Sequence, residues 1–252
     1  MVIWTTVFIF CLIYPDLSRF KMTPKADIDT RNRMVTFLRL VLILPISAYH
    51  ILFTFTKCGD QTSSTEYFLL VLSGGYFTYD LFAKAWFDLL DVDMAIHHLL
   101  CIISMLISVG QNVGTGYIVF GMLVTEISVP PMLIRTMLRN MGKRYTWAYE
   151  VAEYTYLTTF FFVRVVFGHL AVYYSLACPS LSIVTQLASL GIAAQSYLLF
   201  YRMYFVLDSR IRETTERREK KIKIKWLRKL STEILKDCQF YLASQKKKLT
   251  MP

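Results

Sequence analysis

The sequence predicts an all-α integral membrane protein, a polytopic bundle of six core transmembrane helices with a short additional helix at its N-terminus. Of the 252 residues, 55% are apolar and only 18% are charged, whereas soluble domains carry about 25% charged residues. Six apolar stretches reach the length of about 20 residues that a bilayer requires. This apolar content also excludes disordered and collagen-like chains.

The predicted spans follow one another along the chain with short loops between them. They cover residues 34–55, 66–89, 94–110, 115–138, 147–176 and 180–207. Before them, an apolar segment from Met1 to Tyr14 ends at Pro15-Asp16. Because this segment is short for a span, we interpret it as a seventh helix, an interfacial stub or a truncated start.

If successive spans cross the membrane in alternate directions, the basic loops all lie on one side of the membrane. Loop 15–33 has five Lys and Arg residues and the stretch 135–146 has four. The alternate loops 56–65, 111–114 and 177–179 have one in total. Since cytosolic loops carry the excess of Lys and Arg, we expect the C-terminus to be cytosolic.

Two cysteines, Cys58 and Cys178, fall at the predicted lumenal ends of the helices. Disulfides form in oxidising compartments such as the lumen of the endoplasmic reticulum. Their shared side of the membrane therefore motivates the hypothesis that these two cysteines form a disulfide.

The tail after residue 207 carries most of the net charge. It has fourteen basic and six acidic residues, so +8 of the total +10 lies there. Its apolar residues recur near helical spacing: Trp226, Leu227, Leu230, Ile234, Tyr241 and Leu242. This pattern favours an amphipathic helix on the anionic cytosolic leaflet, with a solvated charged tail as the alternative. We therefore expect membrane lipids as partners and no nucleic acid.

These observations divide the chain into an N-terminal hydrophobic segment with its basic loop (1–33), a membrane bundle (34–207) and a basic tail (208–252). The oligomeric state stays open at this stage.

Ionisable side chains inside the predicted spans are the candidates for a site, because each costs about 2.5–3.5 kcal/mol on insertion scales. Asp80, Glu126 and Arg164 lie near mid-depth, and His97-His98 lies nearer the cytosolic side. Arg164 needs an acidic partner, which Glu126 or Asp80 could supply. The set is either a structural ion pair between helices or the lining of a polar cavity for a headgroup or a reacting carbonyl.

The adjacent histidines are candidates for a base or a nucleophile, since histidine titrates near neutral pH. Neighbouring residues of a helix project about 100° apart, so we expect one ring to line the cavity and the other to brace it. Cys101 follows His97 by four residues, but no third or fourth zinc ligand accompanies them, and we expect neither a metal nor a cofactor. His50 and His169 are isolated, and we interpret them as packing residues.

A helix-breaking pattern follows Glu126, in Ile127-Ser128-Val129-Pro130-Pro131. The two prolines cannot donate hydrogen bonds to the carbonyls of Glu126 and Ile127. Broken backbone at membrane depth is tolerated where protein or a cavity satisfies it. The pattern predicts a kink beside a buried carboxylate.

Several of these residues belong to short motifs that resemble the TLC domain family in order and spacing. The motifs are Gly75-Tyr76-Phe77-Thr78-Tyr79-Asp80, His97-His98, Glu126-Ile127-Ser128-Val129-Pro130 and Phe161-Phe162-Val163-Arg164. The family includes ceramide synthases and the translocating-chain-associating membrane protein, and the chain looks similar to its short members of the transmembrane protein 136 type. The resemblance covers roughly residues 30–210 and implies a six-helix bundle around a lipid-accessible cavity.

In ceramide synthases, paired histidines and a His-Asp element one helix later carry acyl transfer from acyl-CoA to a sphingoid amine. His97-His98 matches the first element, but Thr125-Glu126 stands in place of the second. We therefore favour a protein that binds, senses or moves lipids and so tunes membrane composition. The residues expected to line its cavity are Tyr76, Asp80, His97, His98, Glu126, Ser128 and Arg164.

Two alternatives remain beside that function. The first is a ceramide-synthase-like N-acyltransferase that uses acyl-CoA as substrate, with His97, His98, Asp80 and Glu126 as catalytic residues. The second is a small-solute transporter, although the two halves of the chain show no repeat. The endoplasmic reticulum is the commonest address in the family, and we expect it ahead of the plasma membrane.

Overall fold

The computed structural model describes residues 1–13 and 15–231 together with Ile234, Lys236 and Cys238. Over these residues the chain is all-α, which confirms the predicted fold class. The helices are α1 (Val2–Ile13), α2 (Pro24–Phe53), α3 (Ser64–Trp86), α4 (Val92–Gln111), α5 (Thr115–Glu126), α6 (Val129–Asn140), α7 (Trp147–Phe160), α8 (Gly168–Ala177) and α9 (Ile183–Glu219). A short 3₁₀ turn (Ser18–Phe20) precedes α2, and a π-helical segment (Phe161–Phe167) joins α7 to α8.

Within the described residues, five helical stretches are long and apolar enough to cross a membrane. They are Pro24–Phe53, Val92–Gln111, Thr115–Asn140, Trp147–Ala177 and Ile183–Glu219. Helix α3 has 23 residues, which is long enough for a sixth span, but it is less apolar than the five. The molecule is a multi-pass helical membrane bundle, and a total of six spans stays a prediction.

Side-chain caps set where the helices begin. Thr23 Oγ1 accepts a hydrogen bond from the Ala26 N–H at 3.3 Å, and Pro24 occupies the first turn, where its missing N–H costs nothing. Helix α2 therefore begins ten residues before the predicted span 34–55. That prediction was based on the apolar residues alone and did not include the polar first turns of the helix. Ser63 and Glu66 form a reciprocal capping box at the start of α3.

Two of the long stretches are irregular near their middle. The stretch from Thr115 to Asn140 breaks at Ile127–Ser128, between α5 and α6, as the two prolines predicted. The next stretch widens into the π-helical segment Phe161–Phe167, which the sequence did not predict. Such single π turns occur frequently at functional sites.

Helix α1 packs against α2 and α3. The Trp4 indole N–H donates to the Leu72 carbonyl at 3.1 Å, near the middle of α3. At the other end of α1, Arg31 of α2 donates to the carbonyls of Cys11 and Leu12 at 2.8 and 2.9 Å. The short helix therefore runs along α3 from Leu72 to Phe87, against which the Phe8 ring packs.

The two ends of the bundle differ in chemistry. We call the end where α2 begins and α3 ends the basic end, because the Lys- and Arg-rich loops lie there. At the opposite end Cys58 and Cys178 form the predicted disulfide. We call this opposite end the disulfide end. Buried His50 lies there too, with its Nε2 2.9 Å from Glu66 Oε1.

Helix α9 continues past residue 207 to Glu219, and ion pairs hold this extension to the bundle. Arg210 pairs with Glu153 of α7, and Arg217 pairs with Glu150. Glu153 also accepts from Arg135 Nε of α6 at 2.9 Å. The first part of the predicted tail is therefore an integral part of the fold.

The amphipathic helix predicted for the tail is wrong over residues 226–230, which are irregular. The carbonyls of Lys225 and Trp226 instead accept hydrogen bonds from the N–H groups of Trp147 and Ala148, each at 3.1 Å. These donors belong to the first turn of α7, where helix N–H groups lack intrahelical partners. Tyr241 and Leu242 lie outside the described residues.

Candidate functional site: a polar cavity joined to an apolar pocket

A cavity of about 700 Å³ occupies the half of the bundle toward the basic end. Its walls come from α2, α3, α4, the end of α5, α6, α7, the π-helical segment and α9. The structure brings all seven predicted lining residues into this one wall: Tyr76, Asp80, His97, His98, Glu126, Ser128 and Arg164.

Asp80 is the centre of a buried polar cluster on one side of the cavity. One carboxylate oxygen accepts from Asn32 Nδ2 at 2.6 Å. The other accepts from Lys84 Nζ at 2.6 Å and lies 3.0 Å from His98 Nε2. Asp80 is only 1% exposed, so the three donors stabilise its charge in place of water.

His98 has hydrogen-bond acceptors at both ring nitrogens. Its Nδ1 lies 2.9 Å from the Met94 carbonyl oxygen, which can only accept, while its Nε2 faces the carboxylate of Asp80. Both ring nitrogens of His98 therefore have contacts within the protein, which fix the orientation of the ring in the cavity wall.

His97 lies on the neighbouring face of α4 and is half-buried in the cavity wall. Its Nε2 is 3.8 Å from Cys101 Sγ, and its ring meets Phe77 edge-on with centroids 6.1 Å apart. Of the two histidines, His97 is the one without a carboxylate partner in the described structure. Asp80 and Glu126 each have a cation at ion-pair distance, so His97 is the candidate base that is not tied to an opposite charge.

Glu126 pairs with Arg39, a residue that the sequence analysis did not single out. Arg39 Nη1 lies 2.9 Å from Glu126 Oε1, and the guanidinium carbon lies 4.4 and 4.8 Å from the ring centroids of Tyr76 and Phe77. The prediction that Glu126 or Asp80 is the ion-pair partner of Arg164 is therefore wrong, because both carboxylates are committed to other cations. Arg39 could have been found, since it falls inside the predicted span 34–55.

Arg164 instead stabilises the broken backbone between α5 and α6. Its Nε donates to the Thr125 carbonyl at 3.2 Å and to Ser128 Oγ at 3.0 Å, and its Nη2 donates to the same carbonyl at 2.8 Å. The two prolines predicted that the carbonyls of Glu126 and Ile127 lack their helical hydrogen bonds. In the structure, Arg164 binds the carbonyl of Thr125, one residue before Glu126. The π-helical segment carries this side chain to the break.

Thr125 stands where the second element of ceramide synthases has a histidine, and it contributes no titratable group. Its hydroxyl donates within its own helix, to the carbonyls of Gly121 and Met122 at 3.0 Å each. The position therefore supplies a carbonyl for Arg164 and no acid or base.

No group of three or more His, Cys, Asp and Glu side chains in the described part of the chain is arranged to hold a metal ion. The His97–Cys101 pair has the sequence spacing of two ligands and lacks the other two that a zinc site requires.

A second, apolar pocket of about 80 Å³ lies beyond the polar cavity, among α4, α5, α8 and α9. Residues such as Met105, Ile118 and Val172 form its walls. Phe77 and Arg164 line both spaces. They mark the junction between a polar compartment and an apolar one.

Fold and site together define a multi-pass helical membrane protein with a polar cavity in one half of the bundle and an apolar pocket beside it. The family model of the TLC domain matches residues 29–209, which is most of the chain. The chain therefore belongs to the TLC domain family. No solved structure matches it.

Proposed function

We propose that the protein binds an amphipathic membrane lipid, with the headgroup in the polar cavity and hydrocarbon in the apolar pocket, and so senses or moves lipids. The observation that carries this proposal is the junction at Phe77 and Arg164, where the two compartments share a wall. A polar space that meets an apolar one inside a membrane protein matches the two halves of an amphiphile.

The polar cavity must supply the selectivity. Lipid tails are as apolar as the side chains of the pocket, so moving a chain from bilayer to pocket gains little hydrophobic free energy. Hydrogen bonds to charged groups contribute about 1.5–3 kcal/mol each, and this cavity has several charged side chains. We therefore expect discrimination between headgroups and tolerance of chain length.

The first test is the lipid content of the purified full chain. Protein reconstituted in nanodiscs of mixed composition is re-extracted, and its co-purifying lipids are compared with the bulk by mass spectrometry. We expect enrichment of one headgroup class. A bound fraction with the composition of the bulk lipid would contradict the proposal.

A matched pair of variants tests the apolar pocket. Gly121 lines it, and a Cβ at this position meets no atom within 4 Å, so Gly121→Leu fills the pocket without disturbing the backbone. Gly110 on α4 also has open space around it, but it lines neither compartment. We expect Gly121→Leu to abolish the enrichment and Gly110→Leu to retain it.

Two independent features support an orientation with the basic end in the cytosol. Lys and Arg concentrate in the loops of that end, and the Cys58–Cys178 disulfide at the other end suits an oxidising lumen. We propose the endoplasmic reticulum as its location, because it is the commonest address among the proteins that the chain resembles and its oxidising lumen suits the disulfide. Protease digestion of intact microsomes should remove a C-terminal epitope tag, and a protected tag would reverse the orientation.

The exposed basic residues after α9 suit contact with the anionic cytosolic leaflet. Lys221, Lys223 and Lys225 are exposed, and Trp226 beside them has an exposed indole, which is typical of the membrane interface. No helix is needed for this electrostatic contact, which contributes about 1 kcal/mol for each basic residue near the surface.

The alternative, an acyl-CoA-dependent N-acyltransferase, is favoured by the position of His97 in the cavity. It is disfavoured by Thr125, which stands in place of the histidine in the second element of ceramide synthases. We also propose, from the resemblance of its motifs, that the chain groups with the short TLC proteins of the transmembrane protein 136 type. Labelled acyl-CoA with a panel of long-chain amines should give no product, and product formation that His97→Ala abolishes would establish the enzyme.

A further inference from the structure

The deep part of the cavity has more positive than negative charge. Glu126 is committed to Arg39, and Asp80 is committed to Lys84 and His98. Each carboxylate therefore already has a cation at ion-pair distance. Arg164 remains as an additional cation.

Arg164 has only neutral partners in the part of the chain that the structure describes. Its donors go to the backbone carbonyl of Thr125 and the hydroxyl of Ser128. Glu126 acts on it only from beyond ion-pair distance, and that carboxylate is shared with Arg39. Two guanidinium groups and one carboxylate leave one positive charge without a counter-ion.

The surroundings make this charge expensive without an anion. Arg164 lies near the middle of its membrane stretch, with the Phe160 ring centroid 5.3 Å from its guanidinium carbon. In such a low-dielectric environment ionic interactions are much stronger than in water. A guanidinium presents a planar fork of donors that matches carboxylate and phosphate oxygens.

Arg164 also marks the position that the anion would take. It lines both the apolar pocket and the polar cavity, so a group bound to it lies where hydrocarbon ends and headgroup begins. An uncharged or cationic group at that point would leave the charge of Arg164 uncompensated.

We propose that Arg164 binds an anionic group, a carboxylate or a phosphate, attached at the end of the hydrocarbon chain of the ligand. This inference rests on the proposed function and names the ligand class: an anionic amphiphile. The rest of the polar cavity holds whatever headgroup the phosphate carries, and a free fatty acid leaves that space to water.

The test uses four probes with the same oleoyl or oleyl chain: oleate, oleoyl lysophosphatidate, monooleoylglycerol and oleylamine. Native mass spectrometry of the detergent-purified full chain measures how much of each binds. We expect at least one anionic probe to bind about tenfold or more tightly than the uncharged one, as for a desolvated charge pair. We expect oleylamine to bind most weakly. The stronger of the two anionic probes identifies the carboxylate or the phosphate as the natural group.

Variants then locate the anion. Arg164→Gln should remove the preference for anionic probes, and Arg164→Lys should keep part of it because the charge remains. Arg212→Gln makes the same substitution at an exposed arginine outside both compartments and should leave the preference unchanged. Retention of the full preference in Arg164→Gln would overturn the assignment.

The outcomes separate this inference from the proposed function. Equal binding of anionic and uncharged probes to the wild-type chain would overturn the inference and leave lipid binding intact. Failure of all four probes to bind would overturn both. If Arg164→Gln does not fold, the probe series on the wild-type chain still decides the ligand class.

Discussion

Arg39, like Asp80, is almost fully enclosed in the cavity wall. It is 1% exposed, it stacks on two aromatic rings, and Glu126 is its ion-pair partner. Its Nε and Nη2 lack hydrogen-bond acceptors in the described structure and lie buried. A guanidinium in this position depends on the single carboxylate, because aromatic faces replace only part of the lost hydration.

The first prediction concerns this pair. Glu126→Gln should lower the free energy of unfolding by about 3–5 kcal/mol, because it leaves a buried charge without its counter-ion. Adding Arg39→Met to the same chain should restore part of the loss, since both charges are then gone. Thermal unfolding in detergent measures both.

The control for this prediction is Asp88→Asn. Asp88 pairs with Lys25 but is 98% exposed, so water screens the pair and we expect no measurable change. A stability of Glu126→Gln equal to that of the wild type would show that the buried pair is not an ionic one.

Sequence reasoning at this scale found the charges but not their pairing. Asp80, Glu126 and Arg164 are identified by the cost of charge in a membrane, and that cost says nothing about which cation meets which acid. Lys84 reaches Asp80 from one turn away on the same helix, while Arg39 reaches Glu126 across 87 positions. The second distance is a product of helix packing, which no local pattern encodes.

At the scale of elements, the position of the site depends on irregular backbone in two successive membrane stretches, 115–140 and 147–177. The break between α5 and α6 exposes the Thr125 carbonyl, and the π-helical segment on the next stretch supplies Arg164 to bind it. The break was predictable because proline lacks an N–H and acts locally. The π turn was not, because its residues form no pattern that distinguishes it from an ordinary apolar helix.

The second prediction concerns close packing at the start of α5. A Cβ on Gly116 would lie 2.5 Å from Thr56 Oγ1 and 2.6 Å from the Thr56 carbonyl oxygen. Gly116→Ala should therefore destabilise the protein by about 1–3 kcal/mol through overpacking. Unfolding in detergent measures the change.

Gly121, on the same helix, is the matched control. Its Cβ position is open, so Gly121→Ala should leave stability unchanged or raise it by up to about 1 kcal/mol through helix propensity. If the two alanine variants were equally stable, the close approach of α5 to the Thr56 loop would be wrong.

At the scale of the whole molecule, long-range links at both ends hold the bundle together. The disulfide joins the loop after α2 to the segment before α9 across 120 positions. At the basic end, Glu150 and Glu153 of α7 hold the extension of α9. The cysteine pairing was predictable from topology alone, because alternating basic loops fixed the side on which each cysteine lies.

The third prediction concerns that disulfide. Cys58→Ser and Cys178→Ser should each lower the free energy of unfolding by about 2 kcal/mol, at the lower end of measured values because the membrane already confines the unfolded helices. The double variant should be no less stable than either single variant, since all three lack the same bond. Thermal unfolding, with wild type treated with reductant alongside, measures this.

If the losses of stability in the two single variants added up in the double variant, the prediction would be contradicted, because the two cysteines would then act separately. Cys11→Ser, at a free buried cysteine, gives the cost of losing a buried thiol without losing a disulfide.

The two ends of the bundle differ in what they contribute to the interior. No residue of the loops at that end lines either compartment, and Gly116 packs tightly against Thr56 there. The charged lining of the interior therefore lies toward the basic end, and the described loops of the disulfide end contribute none of it. For the lipid ligand proposed above, this asymmetry predicts that the headgroup points toward the basic end and the hydrocarbon toward the disulfide end.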